Sequence, residues 1–152
     1  MPIAIALHVL AAIVWVGGMF FAYMALRPVA ASLLEPPLRL ALWAQVFGRF
    51  FPWVWAAIAL LLASGVWMIF NVFGGMAGVG MHVHVMLLLG IVMTLIYGHL
   101  YFAPYRRLTR AVAACDWLAG AKNLNQIRRL VGVNLVLGLL VAIVGSSGRY
   151  LQ

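Results

Sequence analysis

Four apolar runs, each long enough to cross a lipid bilayer, constrain this chain more than anything else in it. They extend from Ile3 to Leu26, Phe50 to Phe73, Met81 to Phe102 and Leu130 to Ser147. About 20 apolar residues cross the hydrocarbon core as a helix, and only helices or closed barrels satisfy their backbone hydrogen bonds there. The expected fold is therefore all-α, a single integral membrane four-helix bundle over residues 1–152. Composition agrees, since 67% of the 152 residues are hydrophobic and 8% are charged, where soluble domains carry about 25% charged residues. Arg27-Pro28, the stretch from Gly74 to Gly78 and Ala103-Pro104 read as the ends of the first three runs, because proline and glycine terminate helices. No basic residue precedes the first run, and it exceeds a signal-peptide core in length, so it reads as a retained helix.

Charge supplies the orientation. Ten Lys plus Arg face two acids, Glu35 and Asp116, for a formal +8. Arg27, Arg39 and Arg49 fall between runs one and two, and Arg106, Arg107, Arg110, Lys122, Arg128 and Arg129 between runs three and four. The segment from Asn71 to Gly80 has no basic residue, and Arg149 alone lies on its side. Basic loops stay in the cytoplasm, so both termini are expected outside, in the periplasm of a bacterial inner membrane. The same rule accounts for the positive charge without nucleic acid as a partner. The lone Cys115 can form no internal disulfide.

All four histidines lie in or at the ends of apolar runs: His8 in the first, and His82, His84 and His99 in the third. Ionisable groups in a membrane span are costly and mark functional sites, although a neutral histidine can also serve as an interhelical hydrogen bond. At 1.5 Å per residue, His8 lies about 9 Å outward of the middle of its run and His84 roughly 12 Å outward of the middle of its own. The two are thus at similar depth. His82 and His84 point about 160° apart, whereas His84 and His99 fall within about 60°. His8 and His84, with His82 in reserve, are the expected axial ligands of a haem b held between helices one and three, since paired imidazoles ligate haem iron. Gly17, Gly18 and Gly90 would let a flat ring approach the backbone, and Arg149, Tyr150, Ser146 and Ser147 would meet its propionates. A second haem at His99 would take Met19 or Met24, or a neighbouring subunit, as its partner ligand.

Copper is the competing metal. Met76, Met81, His82, His84 and Met86 cluster at the outer end of the third run, and thioethers select Cu(I). His82 and Met86 are four apart and share a helix face. Methionine is also an ordinary apolar filler. No nucleophile–base pair, phosphate-binding loop or metal-hydrolase motif is present, so hydrolysis is not expected. Asn134 reads as an interhelical hydrogen bond or as a contact that supports a metal ligand.

Several segments carry a family likeness. Leu7-His8-Val9-Leu10 with Trp15-Val16-Gly17-Gly18, Phe47-Gly48-Arg49-Phe50 leading to Ala63-Ser64-Gly65, Phe102-Ala103-Pro104-Tyr105-Arg106-Arg107, and Arg128-Arg129-Leu130-Val131 through Asn134-Leu135 together resemble the CopD (copper resistance protein D) family. The likeness covers nearly the whole chain through loose, mostly apolar motifs, and implies copper. A related group, the HemJ-type protoporphyrinogen oxidases, binds haem b and carries histidines where this chain has His8, His82 and His99. It has lysine where His84 stands here. The expected function is that of a b-type cytochrome-like protein transferring electrons at the outer half of the membrane, with a quinone or redox partner. The alternative is copper transport or homeostasis through Met81, His82 and Met86. Four short helices barely enclose a macrocycle, so a homo-oligomer is expected.

Overall fold

A computed structural model describes residues 1–148. Four long helices account for nearly all of them: α1 (Pro2–Leu33), α2 (Pro36–Asn71), α3 (Met81–Ala113) and α4 (Trp117–Ser147). Each has the length and apolar composition to span a membrane, and no strand occurs among the described residues. Large apolar side chains face outward along the spans, among them Ile13, Phe21, Leu88, Leu95 and Ile143. Lipid is the solvent in which such a surface carries no penalty. The chain is a multi-pass membrane protein.

All four helices are longer than the apolar runs, and the excess lies at the end that carries the arginines. Helix α1 does not stop at Arg27-Pro28, and α3 does not stop at Ala103-Pro104. A wide π-helical turn, Ala22–Leu26, runs directly into Arg27-Pro28, and a second, Tyr101–Tyr105, contains Pro104. Proline costs a helix the bond its missing N–H would make and crowds the carbonyl four residues back. A π turn rearranges those bonds, so the chain passes the proline and stays helical. Helix α2 begins at Pro36 rather than Phe50, with two prolines in its first turn where the N–H groups have no intrahelical partner. Helix α4 begins at Trp117 rather than Leu130, capped by Asp116, whose carboxylate accepts from the Ala119 N–H at 3.0 Å. The basic residues between Arg106 and Arg129 therefore ride on helices rather than on an extended loop.

Packing is in pairs. At the end near the termini, α1 lies mainly against α2, and α3 mainly against α4. Towards the basic end the pairs close around an aromatic core. There Phe47 stacks on Phe51 at 5.0 Å, Phe51 meets Tyr105 and Tyr97 edge-on at 4.8 and 5.4 Å, and Trp55 meets Tyr97 at 5.0 Å. Edge-to-face rings at such spacings add to the packing of apolar area. The Tyr97 hydroxyl donates to the Phe51 carbonyl at 3.1 Å, tying α3 to α2. The Asn134 side-chain amide donates to the Met93 carbonyl at 3.1 Å, the interhelical bond expected of it, and joins α4 to α3.

The α2–α3 connection is tight. Gly74 and Gly75 have φ of 73° and 111°, a region closed to most side chains. The Gly75 N–H returns to the Ile69 carbonyl at 2.9 Å, closing α2 so that Met81 can open α3 at once.

Candidate functional site

Three of the four histidines gather at the end of the bundle that holds the α2–α3 turn and the beginning of α1. His8 faces α2. Its Nδ1 lies 2.8 Å from Ser64 Oγ, and that hydroxyl lies 2.6 Å from the Leu60 carbonyl. A carbonyl can only accept, so the serine proton is assigned to the shorter bond and the serine oxygen accepts from His8 Nδ1–H. The His8 ring also rests on Gly65, where an added Cβ would stand 3.4 Å from Cε1.

His84 repeats this arrangement within its own helix. Its Nδ1 donates to the Gly80 carbonyl at 3.3 Å, one turn back at the mouth of α3. In both rings the oxygen beside Nδ1 favours the tautomer with its proton there, which leaves the lone pair on Nε2. A backbone or side-chain oxygen holding Nδ1–H is the usual device that orients an imidazole for a metal or proton at Nε2.

His82 and Met86 lie on the face of α3 that packs against α4. A Cβ at Gly148 would collide with His82, and one at Gly145 would stand 2.9 Å from the Met86 methyl and 3.3 Å from its sulfur. Gly145 in α4 and Gly148 just beyond it thus leave room for a thioether and an imidazole one turn apart. Met81 is 74% exposed at the start of α3. Met76 lies on the preceding turn.

The pairing of His8 with His84 across helices one and three is not the packing observed. Depth suggested it, but α1 turns His8 towards α2, while α3 lies against α4. Where α1 and α3 do meet, deeper in the bundle, Trp15 and Tyr97 fill the gap edge-to-face at 6.1 Å. The cavity beside them, lined by Trp15, Phe51, Tyr97 and Asn134, holds about 20 Å³, far less than a macrocycle requires. The expected haem b between these helices is therefore not supported. Gly18, one of the glycines offered to a ring, is covered by Phe50, while Gly17 and Gly90 have no neighbour within 4 Å. His99 is exposed on α3, Met19 is buried, and Met24 is 56% exposed. Ser146 and Ser147 both donate to the Ile143 carbonyl, at 3.1 and 2.6 Å. Arg149 and Tyr150 lie outside the described residues. Among the described residues no group of three or more His, Cys, Asp or Glu could hold a metal ion. A site here would have to use methionine.

A protein-family model for copper resistance protein D matches residues 44–147. The chain belongs to the copper resistance protein D family. The matched part contains α3, Gly145 and Ser64, but neither His8 nor Gly148. No curated protein and no solved structure matches the chain.

Ser64, Gly65, Gly145 and Gly148 did not stand out as site residues in the sequence. A serine 56 positions from its histidine has no periodic signal. The glycines carried one weak cue, since small residues in a membrane helix mark close approach.

Proposed function

We propose that this protein handles copper as its cargo, taking up Cu(I) at the histidine end of the bundle. The observation that carries this reading is the state of His8 and His84. Each has its Nδ1 proton engaged by oxygen, leaving a directed Nε2 lone pair. Family membership supports copper over other metals. Met86 and the exposed Met81 add thioethers, the donors that distinguish Cu(I) from harder ions. His82, on the same face as Met86, is the third imidazole of the set. By the positive-inside rule the basic end lies in the cytoplasm of a bacterial inner membrane and the histidine end faces the periplasm, so copper would enter from outside.

Competition between the detergent-purified chain and a chromogenic Cu(I) chelator tests the proposal. Cu(I) retention by wild type is expected, with affinity falling about tenfold or more in at least one of His8→Ala, His84→Ala and Met86→Leu, whose side chains stand on different helix faces. Equal retention by wild type and all three variants, or no retention by wild type, overturns it. A Soret band that is present in wild type and lost in His8→Ala would restore haem as the ligand.

A further inference from the structure

A cavity lies at the other end. It encloses about 290 Å³ between the last turns of α1, the first turns of α2 and the first turns of α4. Leu40, Trp43, Phe47 and Val131 form an apolar wall, and Arg27, Arg39 and Arg128 stand around it. Arg27 is held over the Tyr23 ring at 4.9 Å, and Arg39 donates to the Ala31 carbonyl at 3.4 Å. No acidic residue lines the cavity. The chain has two acids in all. Asp116 is engaged as the cap of α4, and Glu35 adjoins Pro36 at the rim. Three arginines therefore line the cavity with too little negative charge in the protein to balance them.

Depth says where the balance comes from. Counting about 20 residues along each helix from the histidine end brings the hydrocarbon edge to Ala22, Phe51, Tyr101 and Ile127. Ala22 and Ile127 line the cavity. The inner edge of the cavity, at Ala22, Ile127 and Val131, thus meets the level where acyl chain gives way to headgroup, and its arginines lie on the headgroup side. A cavity of this size suits a small amphiphile, and guanidinium groups match phosphate oxygens in pairs.

We infer that this cavity is a binding site for an anionic phospholipid of the leaflet at the basic end. The phosphate would lie among Arg27, Arg39 and Arg128, with the glycerol against Trp43 and Phe47 and an acyl chain leaving past Ala22 and Val131. Basic pockets between membrane helices recognise anionic headgroups in this way. The inference does not depend on copper binding.

Native mass spectrometry of the full chain, in mild detergent with phosphatidylglycerol or phosphatidylcholine of matched acyl chains, tests it. Wild type is expected to retain phosphatidylglycerol about tenfold better. The triple variant Arg27→Gln, Arg39→Gln, Arg128→Gln should lose the preference, whereas Arg106→Gln, Arg107→Gln, Arg110→Gln should keep it. Ala121→Trp fills the cavity with every arginine in place and should also lose it, which covers the case of a triple variant that fails to fold. Equal retention of both lipids by wild type overturns the site. So does equal loss in the two triple variants, which would mean general charge attraction. Displacement of the lipid by millimolar inorganic phosphate would show that a free anion, not a lipid, is the ligand.

Discussion

The two ends of this bundle are built on different principles. At the basic end, aromatic rings from α2 and α3 interlock with α1 and α4, and Leu108 and Ile127 are completely buried. At the histidine end, the helices lie in two pairs, and the contacts that stand out are polar or are made over glycine: His8 with Ser64, His82 over Gly148, Met86 over Gly145. Without water to drive helices together, a membrane bundle coheres through close packing and interhelical hydrogen bonds. The aromatic end concentrates the first. The histidine end forgoes much of it and keeps its imidazoles oriented instead. The contrast assigns stability to one end and, on the proposed reading, ligand exchange to the other.

Perturbing the two ends separately should break or confirm that division. The largest effect belongs to Phe51→Ala, which removes a 3%-exposed ring touching Phe47, Tyr97 and Tyr105. It should cost about 3 kcal/mol, read from unfolding in mixed detergent, while Cu(I) affinity per folded molecule stays unchanged. A parallel loss of affinity would show that the two ends are one unit. Next comes Ser64→Ala, which deprives His8 Nδ1–H of its acceptor. Cu(I) affinity should fall about tenfold at nearly unchanged stability, and a stability loss without an affinity loss would make that hydrogen bond purely structural. Asn134→Ala deletes the α4–α3 bond to Met93 and should cost about 0.6 kcal/mol in the same unfolding measurement. Smallest is Gly90→Ala, where the new methyl meets nothing within 4 Å. It should leave both readouts within error, whereas Gly148→Ala, which pushes on His82, should weaken Cu(I) binding about threefold, below the effect of Ser64→Ala.

Much of this was legible in advance, for identifiable reasons. Uninterrupted apolar runs announce spans because lipid allows few other folds, and the spacing of His82 and Met86 placed them on one face that the structure turns towards α4. The basic extensions stayed hidden because they are amphipathic. Residues such as Arg106, Arg107 and Arg110 end an apolar run without ending a helix. Pro28 and Pro104 reinforced the error, since nothing in a proline shows that a π turn will accommodate it. Depth gave His8 and His84 a common level but could not choose among neighbours, as α2 and α4 cross that level too. The choice was made by packing, through Ser64 and Gly65.

The wide turns in α1 also bear on how this chain tolerates change in length. A π turn is an ordinary helical turn with one residue to spare. Helix α1 has two such turns, Ile13–Gly17 and Ala22–Leu26, and the first separates His8 from the aromatic core. Losing one residue within Ile13–Gly17 would close it to an ordinary turn and leave His8 in phase over Ser64. Closing it without a deletion would rotate the first twelve residues by about 100° and swing His8 away from α2. The spare residue thus works as a phase adjustment between the two ends, and Ile13–Gly17 is where related chains can differ by one residue and still aim the same imidazole.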